Sequence, residues 1–190
     1  MNKYLESSDF IDWQSEIVSS KALELSAALQ SELEIAKACF EFVRDEIQHS
    51  LDYKLNPVTC KASEVITNKT GYCFAKSHLL AALLRANGIP AALRYQRIAF
   101  GENRSSFYLH GFNSIYLNGV GWYCVDPRGN KEGINAQFEP PFEVLPFIPK
   151  FEGELVYSQL WSEPSPEIIL LLKSSENYLS VMEQLPRVNL

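Results

Sequence analysis

The sequence predicts an α+β fold in which helices precede a small antiparallel sheet. Three observations predict it. Apolar residues recur at helical spacing through residues 20–47 and again over 73–87. Short runs rich in aromatic and β-branched residues then occupy 91–100, 109–117 and 121–126. Two of those runs flank Asn118-Gly119-Val120-Gly121, a hairpin signal. Helices first and strands afterwards differ from the βαβ alternation that builds a parallel sheet.

In the first helical stretch, Leu33, Ala36, Phe40, Val43 and Ile47 recur at three or four, and Ser31 with Glu34 fits a capping box. Residues 48–60 contain Asn56-Pro57 and no period, so they read as loop. Residues 61–71 read as a short helix and turn, with Ser63 as N-cap. From Cys73 to Asn87 the apolar residues wrap nearly all round, which predicts a buried helix. Gly88 and Pro90 stop it. The last third is rich in proline and aromatics over 138–166 and should run extended over the surface rather than pair in a central strand. Residues 166–185 close the chain as one amphipathic helix, with Pro166 in its first turn. That helix serves as core or as a dimer contact.

Length and composition narrow the function. A chain of 190 residues suits one well-buried core, with 46% hydrophobic and 21% charged residues. A net charge of −6 offers no basic surface for phosphates, which argues against nucleic acid as a partner. The first residues lack an apolar signal-peptide region, and no apolar run approaches the roughly 18 residues that cross a bilayer. The expected setting is the cytoplasm, away from membranes, with Cys39, Cys60, Cys73 and Cys124 as reduced thiols. Their spacing shows no Cys-x-x-Cys pair.

Thr70-Gly71-Tyr72-Cys73 places a thiol where loop becomes helix. A thiol reacts as thiolate, and the free group titrates at about pH 8.5. A helix N-terminus and a nearby imidazolium both lower that value. His78, five residues on, points about 140° away from Cys73 on a helix. His49 lies in the loop region, where a solvated or capping histidine is the default. His110 opens the first hairpin strand, and Asp126 ends the second. Cys73, His110 and Asp126 are thus the nucleophile, base and orienter of a thiol acyl-transfer triad. The alternative for Cys73 alone is a buried, inert thiol. Side chains alternate faces along a strand. If Leu117 pairs with Trp122, Asp126 lies opposite Asn113, on the face His110 avoids. An odd loop or a bulge, inexpensive with two glycines, puts Asp126 opposite Phe112 and on the face of His110. The odd register is the prediction.

Three ordered blocks, residues 71–100, 109–117 and 122–130, together with the helical stretch 38–50, resemble the core of the transglutaminase-like cysteine-protease superfamily. The resemblance covers residues 35–130 and implies a papain-like, transglutaminase-core fold. On it the chain divides into a helical extension (1–34), a catalytic core (35–130), and an extended segment with a helix (131–190) packed on that core as one domain. It implies Cys73 as nucleophile, His110 as general base and acid, Asp126 holding the imidazole, and a covalent acyl-enzyme on an amide or ester carbonyl. The oxyanion would be held by the Cys73 backbone N–H and a side-chain donor from the preceding segment, with Gln48 and Tyr72 as candidates. Phe74 stands where the eukaryotic cross-linking relatives have Trp, and no Asp-rich calcium loop is present, so calcium-activated cross-linking is disfavoured.

The expected reaction is thiol-dependent hydrolysis of a peptide, protein or small amide, with no metal and no cofactor. Amine transfer, or a non-catalytic module that grips a peptide, are the alternatives. A metal site from Cys73, His110, Cys124 and Asp126 uses permissible ligands and is the weakest reading; Cys124 reads as core. Lys76 either meets a substrate carboxylate or pairs with an acid on the helix surface, the second being preferred. Arg94, Gln96, Arg97 and Arg128 line the cleft for an anionic or hydrogen-bonding substrate, or form a plain solvated face.

Overall fold

The computed structural model describes residues 1–100, 106–187 and 190. Helix α1 (Glu16–Ser26) and helix α2 (Glu32–Glu41) open the chain. The predicted capping box is present: Ser31 Oγ accepts from the Glu34 N–H, and Glu34 accepts from the Ser31 N–H. The helical period expected to reach Ile47 changes after Glu41 into one π turn, Phe42–Glu46. There the carbonyls of Arg44 and Ile47 turn inward to accept hydrogen bonds from Lys76 Nζ.

The stretch read as loop carries structure of its own. Strand β1 (Gln48–His49) and a short helix α3 (Ser50–Tyr53) follow the π turn, and β1 pairs in parallel with β2 (Thr70–Gly71). Between them lies α4 (Ala62–Asn68), with Lys61 rather than Ser63 at the N-cap. Ser63 sits two residues further in, where Asp12, from far upstream, takes its N–H (3.0 Å) and its hydroxyl (2.5 Å). Asp12 therefore supplies the acceptor that the local sequence was expected to provide.

Helix α5 (Cys73–Ala86) is buried along all but its last residue. Its apolar wrap does what the pattern predicted: the helix lies inside, between α1, α2 and α4 on one side and the sheet on the other. Gly88, at φ +75°, ends it in the left-handed conformation that glycine takes without penalty.

The main sheet is antiparallel, in the order β5-β4-β3-β8. It comprises β3 (Ala91–Phe100), β4 (Ser106–Leu117), β5 (Gly121–Val125) and β8 (Leu155–Val156). Leu117 pairs with Gly121, Tyr116 with Trp122 and Asn113 with Val125. This is the odd register, with a three-residue turn made possible by positive φ at Gly119 (+80°) and Gly121 (+90°). It carries Asp126 opposite Phe112 and onto the face of His110.

The proline-rich stretch forms a small hairpin, β6 (Gln137–Glu139) with β7 (Phe142–Val144), and then adds β8 to the outer edge of β3. It pairs at an edge, as proline content requires. The closing helix is two helices, α6 (Pro166–Ser174) and α7 (Tyr178–Gln184). Asn177 breaks the run: its side chain accepts from the N–H groups of Leu179 and Ser180 and starts a new helix. Ile168, Leu171, Leu172 and Val181 join the core cluster that includes α5.

Candidate active site

Cys73 is the first residue of α5 and is 5% exposed. The first intrahelical bond runs from Lys76 N–H to Tyr72 C=O, and Tyr72 makes no side-chain cap. The N–H groups of Cys73, Phe74 and Ala75 thus have no partner within the helix, and they concentrate partial positive charge at the thiol.

His110 reaches the same point from β4. Its Nε2–H donates to Asp126 Oδ2 (2.6 Å), and the ring interacts with the Cys73 thiol across the cleft that both line. With Nε2 held by the carboxylate, Nδ1 is the nitrogen left to face sulfur. Asp126 is held in turn: its Oδ1 accepts the Arg128 N–H at 3.0 Å. Burial alone would lower the His110 pKa, but the Asp126 carboxylate and the Cys73 thiolate outweigh it and raise it to about 10. Phe147 stands edge-on to the imidazole, ring centroids 4.8 Å apart, and limits its rotation.

The three residues singled out as nucleophile, base and orienter are therefore in one crevice. It opens into a cleft of about 410 Å³ whose walls include Tyr72, Tyr108, Phe147 and Ile148. Phe147 and Ile148 come from the proline-rich stretch, so this segment forms a wall of the cleft.

Other candidates are distributed differently. Tyr72 lines the cleft, but its hydroxyl is committed, donating to Tyr178 C=O at 2.5 Å. Gln48 is exposed on the outer side of β1 and lines a separate polar cavity of about 550 Å³. Lys76 also faces that second cavity and is not at the cleft or on a surface. One turn along a buried helix turns it inward, so neither the substrate-carboxylate role nor a surface ion pair is available to it. Burial lowers its pKa to about 7, opposed by the Asp126 carboxylate. Gln96 is buried beneath the β3 edge that β8 covers, paired with His110 on one side and Val156 on the other. Arg97 turns to the β8 edge, where Nε donates to Gly153 C=O (2.7 Å) and the guanidinium lies over Phe107. Arg94 donates to Tyr157 C=O (3.0 Å). Arg128 alone of this polar group lines the cleft, clamped by Asp52 at 2.8 and 3.2 Å. Cys124 is half-buried on β5 with its backbone N–H bonded to Glu143.

The remaining two histidines fare differently. His78 is fully buried on the far side of α5, Nδ1 2.8 Å from Cys60 C=O, as its angular offset predicted. His49 is neither solvated nor a side-chain cap. It is 5% exposed and lines the cleft with Cys73 and His110. A two-residue strand has too short a period to announce itself, so the sequence carried no signal for this placement.

A family model described as the transglutaminase-like superfamily matches residues 19–127. No curated protein matches the chain. Among solved structures, a cysteine-protease candidate from Cytophaga hutchinsonii aligns with TM-score 0.52 and 22% identity, over 66% of this chain and 40% of that one. The periplasmic domain of TgpA from Pseudomonas aeruginosa aligns with TM-score 0.49 and 19% identity, over 65% and 45%. The chain thus spans less than half the length of either structure. The first of these likenesses concerns the fold. Among the described residues, no helix is long and apolar enough to cross a membrane.

Proposed function

Because the chain belongs to the transglutaminase-like superfamily, we propose that its cleft carries out thiol-based acyl chemistry on an amide or ester carbonyl. The observation that carries this reading is the convergence of sulfur, imidazole and carboxylate, with Nε2 of His110 2.6 Å from Asp126 Oδ2 and the same ring interacting with the Cys73 thiol on the cleft wall. His110 takes the thiol proton, and the helix start and the imidazolium hold the thiolate. Sulfur adds to the carbonyl carbon and the C=O pair moves to oxygen. As the tetrahedral species collapses, His110 gives its proton to the leaving amine or alcohol, leaving a thioester. His110 then deprotonates a water that attacks the thioester, and the thiol is restored. Asp126 keeps the ring oriented and stabilises the imidazolium without itself accepting the proton.

The preferred substrates are peptides, proteins or small amides, hydrolysed in the cytoplasm, where four free thiols persist. The aromatic cleft walls support an acyl group with apolar substituents. The test is to incubate the protein with a peptide library, with and without a labelled primary amine, and to map products by mass spectrometry. An acyl adduct on the Cys73 peptide, absent in Cys73→Ser, is expected. Released acids identify hydrolysis, and labelled amides identify amine transfer. Peptides that bind unchanged, with no adduct at Cys73, would overturn the enzyme reading in favour of a binding module.

A further inference from the structure

An acyl-transfer site must hold the oxygen that becomes negative in the tetrahedral species, and a pair of donors at about 2.7–3.1 Å is the usual arrangement. The Cys73 backbone N–H at the start of α5 is one. The side chains first considered for the other are spent or misplaced: Tyr72 Oη donates to Tyr178, and Gln48 lies on the outer side of β1. Arg128 is held in both arms by Asp52.

His49 is placed differently. Its strand pairs in parallel with β2, setting His49 beside Gly71, two residues before the nucleophile. Alternation along β1 turns Gln48 out and His49 in. The imidazole stands edge-on to Tyr72, centroids 5.4 Å apart, and borders both the cleft and the polar cavity behind it. Its Nδ1 is buried with no hydrogen-bond partner; the nearest carboxylate oxygen, Asp52 Oδ2, is 3.7 Å away. Among the described residues Nε2 also has no partner, yet it is not a buried orphan, so it is the more open nitrogen of a ring that borders both spaces. A nearly buried imidazole with neither nitrogen hydrogen-bonded, on the wall of the cleft that holds Cys73, is unusual, because buried polar groups are ordinarily bonded.

We propose that His49 is the second oxyanion donor, its Nε2–H meeting the oxygen opposite the Cys73 backbone N–H. This rests on the acyl-transfer reading of Cys73. The role suits a neutral ring, which donates without exchanging the proton. Burial, with Arg128, Lys76 and His110 nearby, holds its pKa well below the ordinary value, opposed by Asp52. His110, by contrast, is raised. Two imidazoles in one crevice thus have different assignments, one moving protons and the other only donating a hydrogen bond.

The test separates two reactions of the same sulfur. Alkylation by iodoacetamide displaces iodide at a saturated carbon and forms no oxyanion, whereas acylation by p-nitrophenyl acetate forms one. For His49→Ala, acylation of Cys73 should fall about 10²–10³-fold, with alkylation within about threefold of the wild type. His49→Gln, which retains an N–H donor, should recover at least about tenfold of the acylation rate. Equal loss of both reactions in His49→Ala and His49→Gln would make His49 structural and overturn the assignment, as would unchanged acylation in His49→Ala. A wild-type Cys73 that alkylates but never acylates would overturn the acyl-transfer reading itself, and the donor role with it.

Discussion

Gly111 of β4 lies against Phe74 of α5 so closely that a methyl group added at Gly111 would sit 2.7 Å from Phe74 Cδ1 and 3.4 Å from its Cα. These two residues adjoin His110 and Cys73. The missing side chain therefore sets how near the base approaches the nucleophile. Phe74 is fully buried and cannot swing away without disturbing the core.

Gly111→Ala should consequently act on both stability and reactivity. Overpacking of this kind costs about 1–3 kcal/mol, and displacing the strand from the helix should slow acylation of Cys73 by about 10–100-fold. Gly111→Ala/Phe74→Leu, which opens room for the methyl, should recover part of both losses. Thermal unfolding and acylation rates of the four proteins of this cycle measure the coupling. Independent, additive effects would show that the contact does not link the two elements.

Asp126→Asn keeps a hydrogen-bond partner for His110 and removes the charge. Acylation should fall by about 10²–10⁴-fold. The carboxylate is the strongest of the influences that raise the His110 pKa against burial. The alkaline limb of the wild-type pH–rate profile should lie near the raised value of about 10 and move towards neutrality in Asp126→Asn. The same shift has a consequence for folding. A histidine raised in the folded state contributes stability that is complete below about pH 6.5 and is lost as the pH climbs through the folded value. An alkaline limb that stays in place in the variant would exclude the carboxylate as the cause.

Lys76 gives the opposite slope. Its folded pKa of about 7 lies below the ordinary lysine value, so between about pH 7 and 10.4 the unfolded chain binds the extra proton. Stability from this group therefore rises with pH across that window, by up to about 1.4 kcal/mol per unit. Denaturant unfolding of the wild type and Lys76→Met at pH 7, 8 and 9 measures it by difference, which cancels the opposing His110 contribution. The wild type should gain on the variant as pH rises. Parallel curves would show that Lys76 stays charged.

Much of this arrangement was legible in the sequence because its signals are local or strictly periodic. The α5 boundaries follow from an apolar wrap closed by Gly88. The hairpin register follows from two glycines, and with it the shared face of His110 and Asp126. The elements that escaped are set by partners distant in the chain. Asp12 moves the start of α4, Lys76 bends the end of α2, and Asn177 divides a run whose apolar period continues across the break. The wall formed by Phe147 and the inward placement of His49 on the cleft depend on pairing of very short segments, which leave no period to read.

The chemistry rests on the thiol at the start of α5. Burial pushes Cys39 and Cys60 up to about 12 and Cys124 up to about 11. Competitive iodoacetamide labelling of the native protein from pH 5 to 9, with each cysteine followed by mass spectrometry, compares all four in one sample. Cys73 should be modified at least about tenfold faster than the others at pH 6–7, and His110→Ala should abolish that lead. Equal labelling of Cys73 and Cys124, or a lead that survives loss of His110, would contradict the account.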